Sequence, residues 1–189
     1  MGDGDYGFIK SSNMPSGTYS SDMITKAGYA DWATTYDFPP EAEDHCGATA
    51  VANLALYFAV RGYSNLKVNN SKSDTVNAVY NVVGNGPKSD INPTGKSYFL
   101  QRGYTLSSRD IDFTASSVKN AVTNDRPMAF LLINGIDEAH WIIGVGWRTY
   151  SSDSNFYIRI NDGWNANVDR FYKINVGSIM VLARSYWIG

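Results

Sequence analysis

Cysteine is almost absent from this chain: of 189 residues, only Cys46 carries a thiol. A single cysteine excludes an internal disulfide, so cysteine usage does not assign the protein to an oxidising or a reducing compartment. Histidine is nearly as scarce, with His45 and His140 alone. One cysteine and two histidines, with His45 and Cys46 adjacent, cannot supply a tetrahedral zinc site, and neither metal nor cofactor is expected. The formal charge is −2, with no basic run and no Lys/Arg-rich helix, which argues against nucleic acid or an anionic membrane as partner. No apolar run approaches the roughly 20 residues that span a bilayer, so no membrane insertion is expected. The acidic, Gly-rich start MGDGDYGFIK carries no recognisable secretory leader. Abundant Tyr, Asn, Ser and Thr with few lysines resembles a secreted bacterial surface. The expectation is a secreted or cell-surface domain whose signal or propeptide has been removed.

What is present suffices for a folded core. Hydrophobic residues make up 43% of the chain and aromatic residues 14%, which at this length fits one domain over residues 1–189, expected to be a monomer. Residues 1–44 read as loop-rich, with 1–30 as an extension and Pro39-Pro40 fixing the chain's entry into the Cys46 helix. Helical patterns come next. No Pro or Gly interrupts Ala48 to Arg61, and SKSDTVNAVYNVVG spaces Val76, Val79, Tyr80 and Val83 at helical intervals before Gly84. NGPKSDINPTG reads as a loop, followed by a short helix around Lys96 to Arg102 and another from Thr114 that stops before Pro127. From Met128 the texture changes to strands: MAFLLI, HWIIGVGW, NFYIRI, VDRFYKIN and SIMVLARSYWI. Helices first and antiparallel strands after is the α+β layout.

Three fragments carry chemistry. In EDHCGATAVANLALYF, Cys46 falls at the first turn of a helix, where unpaired N–H groups and the helix dipole favour an anion. Thiolate is the nucleophilic form, and this environment lowers a cysteine pKa. The other reading of Cys46 is a small buried core thiol. His140 opens the strand AHWIIGVGW, and a distant strand can bring its imidazole to the helix start as general base, which the adjacent His45 is poorly placed to do. In YIRINDGWN a strand leads into a turn offering Asn161, Asp162 and Trp164. An amide or carboxylate there can fix the tautomer and orientation of the ring, although Asp-Gly is also a common tight-turn dipeptide. Trp164 either shields that bond from water or caps the core.

Taken in order, these motifs resemble the papain-like cysteine peptidase superfamily. HCGATAVANLALYF, AHWIIGVGW and INDGWN are most similar to the branch related to bacteriocin-leader (double-glycine) peptidases, over about residues 30 to 175. The resemblance implies a nucleophile helix packed on a C-terminal antiparallel sheet, with a peptide or protein substrate in the crevice between them. Cys46 is then nucleophile, His140 base and afterwards acid, and Asp162 the orienting residue, with Asn161 the rival for that role. Trp164, Trp141 and Gly47 are assigned to the cleft.

One departure matters. The superfamily usually places a Gln shortly before the cysteine as an oxyanion donor, and Pro40 stands there in this chain. Losing one such donor costs about 10²–10³ in rate in other enzymes. The neighbouring polar side chains are Glu41, Glu43 and Asp44, which repel a developing negative charge. The Cys46 backbone N–H is one remaining donor and the His45 ring a candidate second; the alternative for His45 is an exposed first-turn residue. Asn53 and Thr49 read as helix-packing and backbone-satisfying residues. Gly144 and Gly146 suggest close approach to a helix or substrate. Asp137 and Glu138 either line the cleft or form a solvated turn. Three functions fit this sequence: a hydrolase acting as a cysteine peptidase, an acyl transferase of transglutaminase type, and an inactive papain-like binding module.

Overall fold

The computed structural model describes residues 4–40, 44–133, 139–174 and 179–189. Glu41, Glu43, Asp137 and Glu138, candidates for the surroundings of the site, lie outside the described residues. Among the described residues the chain is α+β, with four α-helices and an antiparallel sheet of eight strands. The helices are α1 (Cys46–Val60), α2 (Lys72–Val83), α3 (Asn92–Gln101) and α4 (Ala115–Thr123). The strands are β1 (Phe8–Lys10), β2 (Tyr19–Met23), β3 (Leu106–Asp110), β4 (Met128–Ile133), β5 (Ala139–Tyr150), β6 (Asp153–Asn161), β7 (Arg170–Lys173) and β8 (Ile179–Ile188).

α1 is the central helix. Its Ala-rich sequence has high helix propensity, and every residue from Cys46 to Phe58 is buried, as expected of a helix apolar on all sides. It packs on β5 and on α2. α2 and α4 start as their sequences predict. Ser71 and Thr114 accept from the backbone N–H of Asp74 and Ser117, and Gly84 ends α2 at φ 72°. α3 begins four residues earlier than the reading from Lys96, because Pro93 sits in its first turn, where a missing N–H breaks no bond. No helix among the described residues is long and apolar enough to cross a membrane.

The sheet runs β1-β7-β6-β5-β4-β8-β3, with β2 also paired to β5. β5 is its spine. One edge pairs with β4 from Ala139 to Gly144 and then with β2 from Gly146 to Tyr150. Pairing with β6 begins only at Ile143↔Asn161. The opening residues of β5 therefore have no β6 partner, and the start of α1 lies against them. β1 and β2 belong to the segment read as a loop-rich extension; each is too short to show an apolar alternation, and Ser20, Ser21 and Asp22 at the centre of β2 are polar. β3, LSSRD, escaped the reading for the same reason.

Gly144 and Gly146 do mark close approaches, to neither a helix nor a cleft. A Cβ on Gly146 would stand 2.5 Å from the Asp22 carbonyl oxygen and 3.1 Å from Met23 Cα, the backbone of β2. A Cβ on Gly144 would meet side-chain atoms, Phe130 Cε2 at 2.6 Å and Met128 Cε at 3.3 Å. Side chains can turn aside and a paired backbone cannot. Gly146→Ala is therefore expected to destabilise the fold by about 1–3 kcal/mol in urea titration. A Gly146→Ala midpoint equal to wild type would show that β2 is not held by this approach.

Candidate active site

Cys46 is the first residue of α1, and its side chain is 3% exposed. The thiol shares its one proton between two carbonyl oxygens, Ala139 at 3.7 Å and Pro87 at 3.8 Å. The first belongs to the opening of β5, which has no β6 partner. The peptide N–H of Trp141 also points at the sulfur. The thiol is thus seated against the peptide groups on either side of His140.

The thiolate expected from the helix start is not the resting form. Burial pushes the Cys46 thiol from 9.0 up to about 12; the Trp141 peptide N–H opposes the shift, and the negative charge of Asp44 adds to it. A rise of that size corresponds to about 4 kcal/mol. A helix N-terminus contributes roughly 0.3–1 kcal/mol, and about 2 at most. Desolvation wins.

His140, the second residue of β5, is buried as well. Its Nε2 lies 2.6 Å from the backbone carbonyl oxygen of Asp162, so Nε2 carries the proton and donates, which leaves Nδ1 as the lone-pair nitrogen of the neutral ring. The Trp164 indole stacks on the imidazole at 3.8 Å between centroids and 4° between planes. Trp164 also contacts the edge of Phe8, which ties it into the core. Burial lowers the His140 pKa from 6.5 to about 4, with the Asp162 carbonyl and charge pulling the other way. None of the hydrogen bonds among the described residues joins the Cys46 sulfur to the ring.

The orienting group sits at Asp162, as the turn suggested, but through its carbonyl. The Asp162 carboxylate accepts instead from the backbone N–H of Trp164 and of Asn165, both at 2.9 Å, and from Asn165 Nδ2 at 2.8 Å. Arg170 Nε stands 3.2 Å from Asp162 Oδ2, within ion-pair range but off the line of a hydrogen bond. The rival, Asn161, does not reach the imidazole either. Its Oδ1 accepts from Gly163 N at 3.0 Å and from Asn53 Nδ2 at 3.1 Å, and its Nδ2 donates to the carbonyls of Asn165 and Asn167. Both side chains build the turn, and the turn presents the carbonyl. Gly163, at φ 78°, completes it where an L-residue would be strained.

Asn53 links this turn to α1: besides Asn161 it binds Ala33 through both its N–H and its carbonyl. Thr49 satisfies backbone, donating its hydroxyl to the His45 carbonyl at 2.8 Å. The His45 ring packs on Phe38 at 5.6 Å, and its buried Nδ1 has no hydrogen-bond partner among the described residues. Nothing there directs the ring at the sulfur, so the candidate role as oxyanion donor gains no contact. Pro40 is exposed.

Sequence reasoning missed what covers the thiol. Residues 84–88, the helix-ending Gly84 and the first four residues of the stretch read as a loop, form a strap over the start of α1. Gly86 N donates to the Asp44 carbonyl at 3.0 Å, and Trp141 Nε1 donates to the carbonyls of Pro87 at 2.8 Å and Lys88 at 2.7 Å. A Cβ on Gly47 would stand 2.8 Å from Lys88 Cγ and 3.1 Å from the Pro87 oxygen, so Gly47 permits the strap to sit this low. The Gly-Pro dipeptide signals a turn, and nothing local signals what the turn covers.

These environments set the reactivity of the thiol and the pH dependence of the fold. With a thiolate fraction on the order of 10⁻⁵ at pH 7, iodoacetamide should alkylate Cys46 slowly at neutral pH and ever faster above pH 9. Rapid alkylation near pH 5 that His140→Ala abolishes would instead establish a resting ion pair. A His140 value depressed from 6.5 to about 4 makes the unfolded chain the stronger proton binder between those pH values. Stability present above pH 6.5 should therefore fall by about 3 kcal/mol on acidification to pH 4. Urea midpoints at pH 7 and pH 4 measure this, and His140→Gln should flatten the difference.

Comparison with protein-family models and with curated proteins returns no match, so the functional assignment rests on these residues and their geometry.

Proposed function

We propose that the protein is a papain-like cysteine peptidase that hydrolyses peptide bonds through Cys46 and His140. One observation carries the reading: the thiol at the start of α1 is seated against the peptide groups flanking His140, whose ring is fixed by the Asp162 carbonyl. An indole stacked on that ring covers one of its faces. An inert core thiol requires neither a clamped imidazole nor a turn whose side chains are spent on presenting one carbonyl.

The tautomer determines the chemistry. His140 Nδ1 takes the thiol proton as Cys46 Sγ bonds to the substrate carbonyl carbon, and the carbonyl π pair moves onto oxygen. The oxyanion collapses, the C–N bond breaks, and the imidazolium protonates the departing amine. Water then adds to the thioester with His140 as base, releasing the acid and returning the proton to sulfur. Throughout, the Asp162 carbonyl accepts from Nε2–H and steadies the positive ring, the role a side-chain amide or carboxylate plays in other triads. Orienting through a backbone atom makes the arrangement insensitive to the chemistry of the side chain at 162, provided the turn is kept.

A second reading has an observation behind it. A neutral thiol and a neutral imidazole under a strap also describe an inactive domain that binds peptide without cutting it. Incubation with a fluorogenic peptide library separates the two. Hydrolysis that Cys46→Ala and His140→Ala each reduce by at least ~10³ is expected. Binding of the same peptides with no Cys46-dependent turnover would select the binding module. Transfer of the acyl group to added glycine amide in preference to water would select the acyl transferase.

A further inference from the structure

The missing glutamine leaves the oxyanion without an obvious side-chain donor, and Pro40 has none to offer. The structure holds an oxygen near the place where the oxyanion would form. The Pro87 carbonyl oxygen lies 3.8 Å from Cys46 Sγ and 2.8 Å from Trp141 Nε1. It also sits low over the helix start, 3.1 Å from where a Cβ on Gly47 would be. A carbonyl oxygen poised for attack stands a few ångströms from the nucleophile, and an effective donor lies 2.7–3.1 Å from the oxyanion position, about the separation seen for Trp141. The donor is also rigid: Trp141 is buried, and its own peptide N–H is at the sulfur.

Resting on the peptidase reading, we infer that Trp141 Nε1–H is the side-chain oxyanion donor of this site, and that the Pro87 carbonyl plugs it in the resting protein. The indole replaces the glutamine amide from the opposite direction, from the strand of the base rather than from the segment before the nucleophile. The plug is built to leave. Gly84 and Gly86 adopt φ 72° and 100°, and Lys88, a non-glycine residue, is held at φ 53°, a conformation of higher energy for an L-residue. When the strap lifts, a substrate carbonyl takes the hydrogen bond that Pro87 gives up. Sγ then bonds to the carbonyl carbon, the π pair moves onto the oxygen facing Trp141, and the thiol proton passes to His140.

The test compares two reactions of one thiol in wild type and Trp141→Phe, which keeps an aromatic ring and removes the N–H. Acylation by p-nitrophenyl acetate passes through an oxyanion, whereas alkylation by iodoacetamide is a direct displacement that forms none. Trp141→Phe is expected to slow acylation by about 10²–10³ while alkylation is unchanged or faster, since the strap loses its two bonds to the indole. Equal effects on both reactions overturn the assignment. If they are equal while wild type still hydrolyses peptides through Cys46, the donor is wrong and the peptidase reading stands. If acylation depends on Trp141 but no peptide is cut, the donor stands and the peptidase reading falls. A wild type that is alkylated but never acylated overturns both. Should the variant not fold, wild type with ¹⁵N-labelled indoles is treated with N-acetylglycinal, which forms a thiohemiacetal at Cys46. The Trp141 indole signal must shift on adduct formation, and an unmoved signal overturns the assignment.

Discussion

The constraint on which this molecule turns is the edge of β5 that β6 leaves free at the strand's opening, opposite the edge paired with β4. β6 leaves that edge free before Ile143, so the Ala139 carbonyl and the Trp141 N–H need a partner other than a neighbouring strand. Buried peptide groups without partners are costly, by about 1–3 kcal/mol each. The start of α1 fills the place with a sulfur that both donates to the carbonyl and receives from the N–H. One packing solution therefore brings a thiol beside the strand residue that carries the imidazole. The same edge fixes the rest: His140 lies between the two peptide groups, and the turn after β6 closes over its ring with Asp162 and Trp164.

That solution has an electrostatic consequence. A thiol close enough to a sheet edge to complete its hydrogen bonding is also withdrawn from water, and so is the imidazole beside it. Burial outweighs the helix dipole at Cys46 and outweighs the Asp162 carbonyl at His140. Both groups rest neutral. Asp44 adds to this at the cysteine, where its charge disfavours a second anion. A neutral pair is competent for chemistry in which proton transfer accompanies attack, but it gives the thiol little reactivity toward anything that does not reach both residues at once.

Much of this was legible in the sequence where local chemistry decides the outcome. An Ala-rich run without Pro or Gly from Ala48 to Arg61 reads as a buried helix, and Ser71, Gly84 and Thr114 announce the ends of their helices. His140 on a strand and Asp162 in a tight turn came from the same kind of signal. What escaped depends on partners distant in sequence. β2 is YSSDM, a strand only because β5 offers it an edge, and β3 is held in the same way by β8. Residue type also conceals which polar group is used. Asp162 was chosen for its carboxylate, yet the carboxylate folds the turn and the peptide carbonyl meets the imidazole. The charge state of Cys46 is not legible in the sequence, because the helix start is visible there and the strap over it is not.

The strap bears on whether so buried a thiol can react at all. Holding the thiol neutral disfavours the thiolate by about 4 kcal/mol, and the single Trp141 N–H shared by the Pro87 and Lys88 carbonyls adds about 1 kcal/mol to the closed strap. If opening simply discarded those bonds, the open state would be rare and the sulfur nearly inert. On the proposed reading a carbonyl-bearing ligand alters that balance, because it replaces the Pro87 oxygen in kind: the indole keeps an acceptor, and the Lys88 carbonyl contact and the Gly86–Asp44 bond are what must be given up. A ligand without a carbonyl gains nothing from the exchange. If Trp141 is the oxyanion donor, the closed site would select by chemistry before any side-chain pocket contributes, admitting groups that can take the place of a peptide carbonyl. In this arrangement burial of the thiol and a preference for peptide carbonyls have a common origin in the strap's own backbone.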